Sequence, residues 1–114
     1  MSLENENKLD GFDIDVLKLV ASDLGLNVEF HTMNYEEIYN SLKNSEVDAG
    51  VFSQSITADY QKDIAFTAPY YNNSNSIGIF KNNANLYQAV NKDIAIRIYD
   101  GSVGQLIEKW FSQA

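Results

Sequence analysis

Between Asp13 and Phe52 the apolar residues change period three times, and this alternation constrains the fold more than any other property of the chain. Val16, Leu17, Val20, Ala21 and Leu24 recur at three- and four-residue spacings, which puts them on one face of a helix. Asn27 to Met33 then alternates with period two, as a half-buried strand does. Tyr35, Ile38, Tyr39 and Leu42 return to helical spacing, and Asp48 to Phe52 is a short apolar run suited to a buried parallel strand. Parallel strands need long crossovers, and a helix between each pair supplies them. The expected fold class is therefore α/β, a three-layer lobe with a mainly parallel sheet flanked by helices.

Local signals refine the pattern. Asp13 or Asp15 is placed to cap the first helix, and Gly25 to end it. Thr57 reads as the N-cap of a short turn over Ala58 to Lys62, and Pro69 closes that segment. Residues 1–10 read as a polar arm, and Asn72 to Ser76 as a linker. Ile77 to Phe80 reads as a strand. Ile94 to Tyr99 alternates like a strand, but Leu86, Val90, Ile94 and Ile98 stand four apart, which favours one helix ending at Asp100-Gly101. Ser102 then caps a last helix that carries Val103, Leu106, Ile107, Trp110 and Phe111 inward.

Composition excludes several classes. At 114 residues the chain holds one domain at most. With a formal net charge of -8 and no basic cluster, no nucleic-acid partner is expected. No cysteine is present, so there is neither a disulfide framework nor thiolate chemistry. No metal-ligand spacing, phosphate loop or nucleophile motif occurs, so no cofactor is expected and the chain does not read as an enzyme. No apolar run is long enough for a membrane helix. The polar start Met1 to Asn7 has no basic n-region or apolar h-region and is not a signal peptide.

Three separated motifs carry a resemblance. Gly11-Phe12-Asp13-Ile14-Asp15-Val16-Leu17, Asp48 to Thr57, and Ile64-Ala65-Phe66-Thr67-Ala68-Pro69-Tyr70-Tyr71 resemble, in order and spacing, lobe one of the extracellular solute-binding proteins of the polar amino-acid type, family 3. Ile77 to Lys81, Leu86 to Lys92, Asp100-Gly101-Ser102 and Glu108 to Phe111 resemble the family's returning strand and C-terminal helices. The resemblance implies a periplasmic-binding-protein-like lobe (11–114), with 11–71 the first part, 72–76 a linker standing where lobe two is inserted, and 77–114 the return. In a rival register, Ile94 to Gly104 resembles the start of lobe two. The family's usual first strand has no match before Gly11. That slot is expected to be filled by another chain, by the 1–10 arm, or by Ile94–Tyr99 as a strand.

The same resemblance supplies candidate site residues: Tyr35 as an aromatic wall, the Phe52 backbone, Ser53, Ser55, Thr57, and Tyr60 at the position of the family's carboxylate-binding arginine. A tyrosine donates one hydrogen bond and offers no charged fork, so recognition of a free α-carboxylate is expected to be weakened. Arg97 is the only arginine and lies far along the chain. His31 stands alone on a strand, and Glu36 and Glu37 point apart on a helix.

The resemblance implies a binding module for a small polar, amino-acid-like solute, working with an ABC permease, in the periplasm or outside the cell as a secreted protein or lipoprotein. In this single-lobe form, weak or no ligand binding is expected. The alternative is a self-associating lobe, a homo-oligomer formed through the missing-strand slot or the hinge face. A sensor domain and a dehydratase-like enzyme rank behind these readings.

Overall fold

The computed structural model describes residues 2–5, 11–71 and 75–111. The elements are β1 (Ser2–Asn5), α1 (Gly11–Asp23), β2 (Glu29–Thr32), α2 (Tyr35–Lys43), β3 (Ala49–Ser53), α3 (Gln54–Tyr60), β4 (Ile64–Phe66), β5 (Asn75–Phe80), α4 (Ala84–Tyr99) and α5 (Ser102–Phe111). The strands form one sheet in the order β2-β1-β3-β5-β4. β1 is parallel to β2 and β3, whereas β5 is antiparallel to β3 and β4. All strands but β5 therefore run one way, and the sheet is mainly parallel, as the alternation of periods predicts.

Part of the 1–10 arm fills the vacant central slot. Leu3 lies opposite Phe30 on one side and Ala49 on the other. Ser-Leu-Glu-Asn has little strand character of its own. Two flanking strands, each with a row of unpaired backbone groups, supply the reason for a strand there. Residues 6–10 lie outside the described residues.

The chain steps from β1 outward to β2, then back across β1 to β3. Two crossovers of one hand in opposite directions put their helices on opposite faces of the sheet. Accordingly α1, with α4 and α5, covers one face, where Phe12, Val16, Leu17, Val20, Ala49, Val51, Ile77, Ile79, Val90, Ile94 and Val103 are buried. On the other face α2 and α3 enclose Ile38, Leu42, Val47, Phe52 and Ile64. The period of two shows within β3, whose Val51 faces the first core and Phe52 the second. Each such fully buried side chain contributes on the order of 1.5–3 kcal/mol.

Several boundaries differ from the sequence expectations. α1 begins at Gly11, so Asp13 and Asp15 sit inside it and not at its cap, while Gly25 (φ 70) ends it as expected. α3 begins at Gln54, so Thr57 is a buried residue within the helix and not its N-cap. β5 starts at Asn75, which shortens the expected 72–76 linker, and residues 72–74 lie outside the described residues. Ile94–Tyr99 is helical, the reading favoured by the four-residue series. Ser102 opens α5 from within, its backbone N–H donating to Asp100 Oδ1 at 2.8 Å. Trp110 and Phe111 are 40% and 41% exposed and form a rim, not core, because the last turn of α5 lies over the first turn of α1, with Trp110 against Gly11 and Phe111 against Phe12 and Tyr71.

Candidate functional site

The carboxyl ends of β2 and β3, on either side of the strand where the order reverses, lead directly into α2 and α3. In open α/β sheets this is where ligands are held. Asn34 caps α2 through a capping box: the Glu37 N–H donates to Asn34 Oδ1 at 2.8 Å, and the Asn34 N–H to Glu37 Oε1 at 3.2 Å. That box fixes the first turn, and with it Tyr35. Glu37 thus has a structural partner, while Glu36 is exposed.

Tyr35 lies nearly parallel to the Phe52 ring, 6.0 Å between centroids and 17° between planes. Phe52 is fully buried and also meets Tyr60 at 5.8 Å and Phe66 edge-on at 5.2 Å. Tyr60 stacks on Tyr39 at 5.2 Å, and the Tyr39 hydroxyl donates to Asp63 Oδ2 at 2.6 Å. That hydrogen bond to a carboxylate raises the Tyr39 pKa and keeps the phenol protonated. The result is an aromatic ledge with Phe52 as its floor. A glycine makes room for it: a Cβ on Gly78 would stand 2.7 Å from Phe52 and 2.9 Å from Ile64.

Of the residues expected at the site, Tyr35, Phe52 and Tyr60 are brought together by ring contacts. Ser53 ends β3 at the edge of the ledge, as the N-cap residue of α3 by backbone geometry, with no side-chain cap hydrogen bond. Ser55 lies in the first turn of α3, and its side chain is outside the described set. Thr57 points into the protein. His31 is exposed and pairs with Glu29 of its own strand.

Arg97, the chain's single arginine, is held on the opposite face. Its Nε and Nη2 fork onto Asp23 at 2.7 and 2.6 Å, and Nη1 reaches Asp100 Oδ2 and Ser102 Oγ. Arg97 holds the Asp23 carboxyl down at about 2.

Sequence reasoning missed two parts of this arrangement. Tyr39 extends the ledge, and its helical spacing from Tyr35 could have flagged it. Asp13, 4% exposed, accepts from the Tyr70 hydroxyl at 2.6 Å and from Asn75 Nδ2 at 3.0 Å, which ties α1 to the β4–β5 passage and to the start of β5. No local signal announces those partners.

A mainly parallel lobe with helices on both faces and an aromatic ledge at the strand ends is the architecture of a periplasmic-type binding-protein lobe. The profile of the bacterial extracellular solute-binding proteins, family 3, matches residues 1–113, and the chain belongs to that family. It is 28% identical over 71 residues to the arginine-binding periplasmic protein of Mannheimia haemolytica, covering 62% of this chain and 30% of that protein. It is 33% identical over 73 residues to ABC transporter arginine-binding protein 1 of Escherichia coli K12, covering 64% and 30%. The matched stretch thus spans less than a third of these relatives' length, and by name they are binding proteins, not enzymes.

Among solved structures, the substrate binding protein of an amino acid ABC transporter superposes with a TM-score of 0.82 at 15% identity, covering 99% of both chains. The arginine-bound form of domain 1 from TmArgBP superposes at 0.68 with 18% identity, covering 83% of this chain and 90% of that one. The fold is that of these proteins.

Proposed function

We propose that this chain is a half-site for a small amino-acid-like solute, binding it in the millimolar range through the ledge of Tyr35, Phe52 and Tyr60 and the polar edge at Ser53 and Ser55. The observation that carries this reading is the placement of Arg97: the only guanidinium faces away from the ledge and is already held by Asp23, Asp100 and Ser102. Recognition at the ledge then rests on ring faces, hydroxyls and backbone groups, with no charged fork for an α-carboxylate. Ring faces favour cationic groups, and the names of the arginine- and histidine-binding relatives are in keeping with that. A lone lobe also encloses a ligand on one side only, and most affinity in such sites comes from enclosure.

In this reading residues 72–76 stand where a second lobe is inserted in full-length receptors, and an ABC permease is the partner of the complete protein, outside the cytoplasm. The test is a ¹H–¹⁵N titration with arginine, lysine, histidine, glutamine and small carboxylates. Saturable millimolar shifts at the Ser53, Ser55 and Tyr60 amides for the cationic members are expected. Micromolar affinity on the monomer, or shifts confined to other faces, overturns the reading.

A second reading, self-association, is favoured by the part-exposed rim of Trp110 and Phe111 with Tyr71 stacked on Phe111 at 4.7 Å. The slot offers no motive for it, because β1 of the same chain fills it. Light scattering across a hundredfold concentration range measures it, and a constant monomer mass removes it.

A further inference from the structure

One side chain on the face opposite the ledge is chemically incomplete. Asp93 on α4 has a buried oxygen, Oδ2, with no hydrogen-bond donor among the described residues. Asp93 stands one turn before Arg97 on α4, and Arg97 forks from that side of the helix onto Asp23 of α1, which sets the two carboxylates against each other across the joint. Asp23 is committed to the Arg97 fork, and the rest of that guanidinium is turned toward Asp100 and Ser102. Two ionised carboxylates placed this way repel and leave a buried acceptor unmatched. A single proton cures both faults, because it supplies the missing donor and turns the repulsion into a charge-assisted hydrogen bond.

We propose that Asp93 takes up the proton its orphaned oxygen lacks and donates it to Asp23, so that the α1–α4 joint is a clamp that tightens on acidification. The charged groups facing Asp93 are Asp23 from α1, Arg97 from its own helix and Asp100 from the α4–α5 turn. β5 carries no titratable side chain, α5 contributes the Ser102 hydroxyl, and Lys109 is engaged with Asp15. Burial first, and then Asp23, pushes the Asp93 carboxyl up to about 6. A folded-state value above the ordinary 3.8 gives a contribution that is complete below about 3.8 and is lost as pH rises through about 6.

The test is denaturant unfolding of the wild type and Asp93→Asn between pH 5.5 and 7.5, with the ¹³C carboxyl titration of Asp93 in the folded wild type. The amide of the variant keeps the shape and a donor without the charge. The wild type should gain about fourfold in its folded-to-unfolded ratio from pH 7.5 to pH 5.5 beyond any change in Asp93→Asn. The Asp93 carboxyl carbon should titrate near 6. Parallel profiles for the two proteins, or an Asp93 midpoint in the ordinary carboxylate range near 4, overturns the proposal. The carboxyl titration decides alone if the variant does not fold.

Discussion

The two faces of the sheet are built differently. Under α1, α4 and α5 the core is mostly aliphatic, and its margins are tied by ion pairs, Arg97 to Asp23 and Asp100 and Lys109 to Asp15, with the Trp110 indole N–H also donating to Asp15. Under α2 and α3, helices of 9 and 7 residues, fewer side chains are fully buried, and Tyr35, Tyr39, Tyr60, Phe66 and Phe80 stand partly open around Phe52. Long helices seal apolar surface and so hold the lobe together. Short ones leave ring faces partly open. In the function proposed above, recognition falls on the less sealed face, as is usual where a binding surface must remain accessible.

The largest expected effect breaks this division most directly. Phe52→Ala removes the floor of the ledge and should cost about 3–5 kcal/mol, while Leu17→Ala on the sealed face should cost about 2–5 kcal/mol. Denaturant unfolding measures both losses. Under conditions where both variants remain folded, ligand-induced amide shifts at Tyr60 should vanish for the first and persist for the second. Loss of those shifts in Leu17→Ala would mean that the faces are not separable.

Gly78→Ala sharpens the comparison from inside the sheet, since the atoms nearest its methyl group belong to Phe52 and Ile64, both in the core under α2 and α3. A destabilisation of about 1–3 kcal/mol with altered aromatic chemical shifts for Phe52 is expected. Acid titration probes the other margin. The Asp23 carboxyl is depressed from 3.8 to about 2, so its contribution is present above 3.8 and is lost as pH falls through about 2. Arg97→Met should flatten that acid limb, read by circular dichroism against pH. The smallest effect belongs to the exposed pair of Lys109 with Asp15, where Lys109→Ala should change stability by at most about 0.5 kcal/mol and by nothing measurable in high salt.

Much of this was legible in the chain. The period changes from Val16 to Phe52 located α1, β2, α2 and β3, because those elements are selected by which positions must be apolar. Gly25 was legible as a stop because a left-handed residue there favours glycine. Trp110 and Phe111 were misread as inward, since spacing fixes the side of a helix but not where its neighbour ends. Thr57 was misread as a cap because Ser, Thr and Asn residues compete for that role over several positions, and the choice depends on how β3 delivers the chain.

Tyr35, Phe52 and Tyr60 were named from motif position, but only packing shows that they touch one another. The sequence by itself determined the α/β class, the order of most elements and the family, because these follow from local periodicity and contiguous motifs. The tertiary structure alone decided that Ser2–Asn5 lies at the centre of the sheet, that Asp13 joins Tyr70 and Asn75, and that Arg97 is turned from the ledge. Each of these depends on partners distant along the chain, and their pairing is set by backbone groups, buried charges and volumes that no local pattern encodes.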